Sequence, residues 1–127
     1  SVTLTPGLTD SDTSGFPMEG ITAMVSGGPR LVENGAVCTT LEPGFQEARF
    51  TPAVTSRTAL GKLADGKLVI VSTGSASIQQ LRELMLQLGC VEAVNLDGGG
   101  STALAYQGKL IRSPGRELTT TLQIFTH

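Results

Sequence analysis

The sequence predicts an α+β domain: a mixed or antiparallel β-sheet built from hairpins, with one main helix over about residues 77–88. Short apolar runs such as "LVIVST" and "CVEAVNL" have strand length and β-branched content. Turn signals join such runs at Asn34-Gly35, Asp65-Gly66 and Gln107-Gly108. Only "SIQQLRELMLQLG" places apolar residues at helical spacing. With 127 residues and 39% apolar composition, one domain has room for a real core.

Residues 1–20 are rich in Thr, Ser, Gly and Pro without sustained periodicity, so they read as loop with one strand at the start. "ITAMVSGGPRLVENGAV" reads as an apolar strand, a Gly-Gly-Pro interruption and a short strand ending at the Asn34-Gly35 hairpin. Residues 39–56 return to loop character around Pro43-Gly44 and Pro52. "SRTALGKLADGKLVIVST" is a hairpin turning at Asp65-Gly66. In the helix, Ile78, Leu81, Met85 and Leu88 form the apolar stripe. Ser77 with Gln80 makes a capping box, and Gly89 is placed to stop the helix. "CVEAVNL" then runs as a strand into glycines, "TALAYQGKL" is a further hairpin, and the alternation of "ELTTTLQIF" predicts a closing strand.

The totals exclude several function classes. Net charge is -2 with scattered basic residues, which gives no nucleic-acid stripe and no polybasic membrane patch. Aromatics make up 4% of residues, too few for a base-stacking platform or a flat sugar-binding surface. No apolar run is long enough to span a bilayer, and no signal peptide is visible at "SVTLTPG". Cys38 and Cys90 permit one disulfide but make no framework; two separate thiols are the favoured reading. The single histidine is His127, which disfavours a Ser-His-Asp triad, a Cys-His pair and a His-rich zinc site.

Catalysis, if present, therefore falls to carboxylates, arginine, serine or backbone amides. "NLDGGGST" is the distinctive stretch: Asp97 ends an apolar strand, and Gly98, Gly99 and Gly100 let the backbone approach an anion. Ser101 and Thr102 add hydroxyls. A carboxylate beside an anion nest suits cleavage of a phosphate-bearing bond, one part handling the proton and the other the charge. A tight Asp-Gly turn capped by Asp97 is the alternative. The stretch lacks the lysine and spacing of a phosphate-binding P-loop, and the acid spacing of a calcium loop. A lone acid makes no protein-only metal cage, so no resident metal or cofactor is expected, while a substrate-bridged divalent cation stays open. Arg57 and Arg116 each stand where loop becomes strand, as anion-binding arginines or as solvated charges. Gly27 and Gly28 read locally as a bulge or kink.

In this order, "MVSGGPRLVENGAV", "SRTALGKLADGKLVIVSTG", "IQQLRELMLQLGCVEAVNLDGGGSTALAYQGKLI" and "SPGRELTTTLQIF" resemble the phosphodiester glycosidase family, over about residues 21–125. The resemblance implies one pocket holding Arg57, Asn95, Asp97, Gly98, Gly99, Gly100 and Ser101, with Arg116, Gly27 and Gly28 lining the same region. It implies hydrolysis of a sugar-phosphate diester, releasing a sugar such as N-acetylglucosamine from the phosphate. Asp97 would be acid/base or nucleophile, Arg57 and the glycine amides phosphate binders, Ser101 and Asn95 orienting groups, with Thr102 beside them. The implied substrate is a sugar phosphate or glycan, and the implied location secreted or cell-envelope.

The family's domain is longer at its N-terminal end, where an Asn-Gly-Gly-Phe-like segment precedes the shared motifs. No such stretch occurs in residues 1–20, so the chain is expected to match the C-terminal part of that domain, or a shortened one. "VSTGSASIQQL" is also tighter than the family's usual strand-loop-helix junction. Two further readings stand beside the enzyme: a non-catalytic glycan- or phosphate-binding module, and a partial domain whose site another chain or an N-terminal segment completes.

Overall fold

The computed structural model describes residues 25–42, 44–45 and 53–125. Its strands are β1 (Arg30–Glu33), β2 (Ala36–Val37), β3 (Thr55–Leu63), β4 (Leu68–Ala76), β5 (Cys90–Asn95), β6 (Leu104–Tyr106) and β7 (Lys109–Arg112). One helix, α1 (Ile78–Gln87), and a single 3-10 turn at Gly99–Ser101 complete the described elements. A five-stranded sheet runs β2-β1-β5-β3-β4 and a two-stranded sheet pairs β6 with β7. Every pairing is antiparallel, so the sheet expected as mixed or antiparallel is antiparallel throughout, in an α+β arrangement. Strands β4 and β5 consequently run the same way on either side of β3, and α1 carries the chain between them.

The turn signals act as their chemistry predicts. Asn34 and Gly35 take φ of 49° and 75°, and Gln107 and Gly108 take 48° and 74°, the left-handed pair that matches strand twist in a two-residue hairpin. At the β3–β4 turn the Lys67 amide donates to Asp65 Oδ1 at 3.1 Å, and Gly66 has a φ of 88°. The capping box is complete: Ser77 Oγ accepts from the Gln80 amide at 3.1 Å, and Gln80 Oε1 from the Ser77 amide at 2.9 Å. Gly89, at φ 84°, ends the helix.

The core lies between α1 and one face of the sheet. Ile78, Leu81 and Met85 pack with Leu31, Val32, Ala59, Cys90 and Ala93. On β3 this face passes through Gly61, where a Cβ would stand 2.5 Å from Cys90 Sγ and 2.7 Å from Met85 Cε. Glycine there lets the helix sit close to the sheet. The apolar stripe differs from expectation at its end: Leu88 caps the helix and is 45% exposed. Arg82, one turn beyond Ile78 and so on the same face, is buried and donates to the Thr40 carbonyl at 2.5 Å. Its stem packs while its head finds a main-chain acceptor.

Two strand expectations fare differently. The opening strand and most of "ITAMV" lie outside the described residues, and Val25 is not in a strand. The closing strand over "ELTTTLQIF" does not form: residues 117–125 are irregular, with Leu122, Ile124 and Phe125 exposed. Alternation makes a segment suitable for a sheet edge, but a strand exists only where an edge pairs with it. Cys38 and Cys90 are free thiols, as favoured from sequence.

Candidate functional site

Strand β5 delivers the site. Its pairing with β3 aligns Asn95 with Ala59, and the Leu96 amide still donates to the Thr58 carbonyl at 2.8 Å. Asp97 is therefore the first residue past the sheet, held by a rigid strand on one side. Gly98 then crosses over the start of β3. A Cβ at Gly98 would stand 2.8 Å from the Ser56 carbonyl oxygen and 3.6 Å from Arg57 Cα, so the crossing requires bare backbone. Gly99 has a φ of 58°, a left-handed conformation, and the chain closes a 3-10 turn with Ser101 N to Gly98 O and Thr102 N to Gly99 O, both 3.1 Å. The Gly115 amide donates to Gly100 O at 2.8 Å, which draws the segment after β7 over this loop.

That segment carries Arg116. Its Nε donates to Ser101 Oγ at 2.8 Å, and its Nη2 donates to Asp97 Oδ2 at 3.2 Å and also to Ser101 Oγ. The other Asp97 oxygen accepts the Gly98 amide at 2.9 Å. The side chains of Asp97 and Arg116 are 76% and 64% exposed, so the group opens to solvent. An ion pair this exposed contributes only about 0–1 kcal/mol to stability. The amides of Gly99 and Gly100 have no hydrogen-bond partner among the described residues. Together these make a concentrated set: a carboxylate, a hydroxyl, a guanidinium and two open amides within one loop and its neighbour.

The remaining residues singled out from sequence make other contacts. Arg57 is 3% exposed, and its guanidinium donates to the Ala76 carbonyl at 2.7 Å and the Ala53 carbonyl at 2.8 Å. Burial pushes it below the ordinary arginine range, although it remains a cation. It joins the start of β3 to the end of β4 just ahead of α1. Asn95 is 3% exposed; its Nδ2 donates to Gly28 O at 2.8 Å, and its amide donates to Pro29 O at 3.0 Å. Gly27 and Gly28 are thereby fastened along the end of β5, where a Cβ at Gly27 would stand 2.6 Å from the Asn95 carbonyl oxygen. Thr102 is buried. Asn95 Oδ1 and Thr102 Oγ1 are buried oxygens without a partner among the described residues. The structure thus brings Asp97, Ser101 and Arg116 into direct contact; Arg57, Asn95 and Thr102 are buried, and Gly27 and Gly28 lie along the end of β5 against Asn95 rather than among the contacting side chains.

Sequence reasoning missed Ser56, whose main chain Gly98 rests on, and Gly74, whose carbonyl accepts from Ser56 Oγ at 3.0 Å. Neither residue type carries a signal before the strands are paired. Among the described residues no three of His, Cys, Asp and Glu come together as metal ligands, and no helix is long and apolar enough to cross a membrane.

The sequence model for phosphodiester glycosidases aligns with residues 3–125. The chain belongs to the phosphodiester glycosidase family. The match extends nearer the start than the motifs alone suggest. The bovine (Bos taurus) N-acetylglucosamine-1-phosphodiester alpha-N-acetylglucosaminidase is 28% identical over 106 residues, covering 72% of this chain and 20% of its own length. A hypothetical protein from Synechocystis has a similar crystal structure, with TM-score 0.58 and 33% identity over 69% of this chain and 18% of that one. The zebrafish N-acetylglucosamine-1-phosphodiester alpha-N-acetylglucosaminidase catalytic domain, auto-inhibited by its pro-peptide, aligns with TM-score 0.56 and 25% identity, covering 71% of this chain and 34% of that one. This family member spans between 10% and 22% of the length of the curated relatives it matches.

Proposed function

We propose that this phosphodiester glycosidase domain hydrolyses sugar-phosphate diesters, removing a sugar such as N-acetylglucosamine from the phosphate it caps. The observation that carries the reading is the contact set of Asp97, Ser101 and Arg116 around open glycine amides. Asp97 accepts a hydrogen bond at each oxygen, which holds its carboxylate in place to act as nucleophile or general base. One carboxylate suffices when the leaving group is a phosphate monoester, which is weakly basic and leaves without a proton donor. What the leaving group needs is charge stabilisation, and cations and preorganised amides supply it.

In this reading Arg116 has two tasks. It orients Asp97 and Ser101 in the free protein, and it meets phosphate oxygens when substrate enters. The amides of Gly99 and Gly100 face the same charge, and Arg57 supports the strand end. Water adds to the sugar carbon, the carbon–oxygen bond to phosphate breaks, and the proton from water passes through Asp97 to solvent. The family relationship also supports an exported location, outside the cytoplasm or in the cell envelope.

The test is release of N-acetylglucosamine from its 1-phospho-methyl diester by the purified chain, with Asp97→Asn as control. Asp97 is exposed, so the variant should stay folded while turnover disappears. Sugar release at the ordinary rate by Asp97→Asn removes Asp97 from the mechanism. Absence of release by the folded native chain, with methyl phosphate still bound, would favour the binding-module reading.

A further inference from the structure

We infer that Arg112 is a phosphate-binding residue of this site and selects charged diesters over neutral glycosides, an inference that rests on the function proposed above. Arg112 ends β7, paired with Leu104 of β6, four residues before Arg116. Its side chain reaches across to the main sheet and lies against Gly74 of β4. A Cβ at Gly74 would stand 3.1 Å from Arg112 Nη2 and 3.9 Å from Cζ and Nη1. Gly74 does not have a left-handed φ, so its backbone admits any residue. What the missing side chain provides there is room for a guanidinium.

That guanidinium is unmatched. Arg112 is half-buried, yet its side chain has no hydrogen bond or ion pair among the described residues. A half-buried guanidinium with no acceptor among the described residues leaves its donors for an entering anion. Its position ties it to the site: Gly74 O accepts from Ser56 Oγ at 3.0 Å, and Ser56 O is the atom over which Gly98 crosses. Arg112 and Arg116 thus extend from one short segment, Arg112 to Gly74 beside Ser56 and Arg116 to the glycine loop that crosses Ser56. Arg116 already engages the Asp97 carboxylate, whereas Arg112 has its planar fork unused, the geometry that pairs with two phosphate oxygens. A neutral glycoside offers nothing for that fork. The competing account is that Arg112 only packs the small sheet on β4.

The experiment compares Arg112→Gln and Arg112→Lys with the native chain on N-acetylglucosamine 1-phospho-methyl diester, with inhibition by free N-acetylglucosamine and by methyl phosphate measured alongside. Losing a charge-assisted hydrogen bond made in ground and transition states alike should raise KM roughly 10- to 100-fold in Arg112→Gln, with kcat within about threefold. Inhibition by methyl phosphate should weaken by the same factor, inhibition by N-acetylglucosamine should not change, and Arg112→Lys should recover part of the loss. A packing role would instead lower Tm and leave the two inhibitors equally affected. Unchanged KM and methyl phosphate inhibition in folded Arg112→Gln overturns the inference while native hydrolysis leaves the proposed function standing. Absence of both hydrolysis and methyl phosphate binding in the native chain overturns both. If Arg112→Gln does not fold, Arg112→Met keeps the stem over Gly74 and is read by the same criteria.

Discussion

Replacing Gly98 with alanine tests why the loop carries consecutive glycines. The backbone at Gly98, φ -132° and ψ -157°, is extended and open to alanine. The obstacle is steric: the new Cβ would stand 2.8 Å from the Ser56 carbonyl oxygen, where ordinary contact begins near 3.4 Å. Ser56 sits at the register shift of the β3–β4 pairing, with its hydroxyl tied to Gly74 O and its neighbours Thr55 and Arg57 paired, so the loop gives way before the strand does. The loop must lift by about 0.6 Å, a strain of about 1–3 kcal/mol for overpacking. Such a shift carries the Asp97–Gly98 hinge away from Ser101 and Arg116. With misplacement near 1 Å costing about 100-fold in rate, diester hydrolysis should fall roughly 10- to 100-fold. Tm should drop by several degrees, measured by calorimetry. Gly99→Ala, strained only by its left-handed φ, should cost about 1–2 kcal/mol. Gly100→Ala meets nothing nearer than Arg116 Cγ at 3.9 Å and should be the mildest. If Gly98→Ala keeps both rate and Tm, or if Gly100→Ala is the most damaging, the steric argument is wrong.

Arg116→Ala should separate function from stability: Tm should move by less than about 3 °C because the pair is exposed, while kcat/KM for the diester falls about 100-fold or more. Arg57→Ala should do the reverse first, lowering stability by about 3 kcal/mol through two orphaned carbonyls, seen in urea titration; an unchanged midpoint would contradict the supporting role. Burial raises the thiol pKa of Cys90 and, with smaller opposing pulls from Arg82 and Arg30, of Cys38. Below the ordinary thiol value near 9.0 the folded and unfolded chains bind the same thiol protons; above it the unfolded chain releases them first. Stability should therefore decline as pH rises past that value, and Cys90→Ala should flatten the decline in a pH series of urea midpoints.

Local chemistry was legible wherever neighbours in sequence decide the outcome. The capping box at Ser77 and Gln80, the stop at Gly89 and the left-handed turns at Asn34-Gly35 and Gln107-Gly108 follow from a few adjacent residues, and each formed as read. The strand leading into "NLDGGGST" was visible for the same reason, and an acid followed by three glycines marked that stretch as distinctive. The closing strand over "ELTTTLQIF" did not form, because alternation describes one strand while a sheet requires two. Leu88 and Arg82 exchanged places for a related reason: the helix ends before Leu88, and the Thr40 carbonyl lies where Arg82 can reach it.

The site shows the same division. Sequence alone determined which residues could act, with Asp97, Ser101 and Arg116 as the reactive types and bare backbone beside them. Only the tertiary structure decided their arrangement, because the contacts of Arg116 with Ser101 and Asp97 and the crossing of Gly98 over Ser56 join residues 15 to 42 apart in the chain. Arg57, equally a candidate from sequence, is directed by the β3–β4 register toward two carbonyls. Gly98 is required by a carbonyl on a strand about 40 residues earlier, and Arg112 meets Gly74 only once two separate sheets pack together. Composition and spacing set the available chemistry; strand pairing and packing place it.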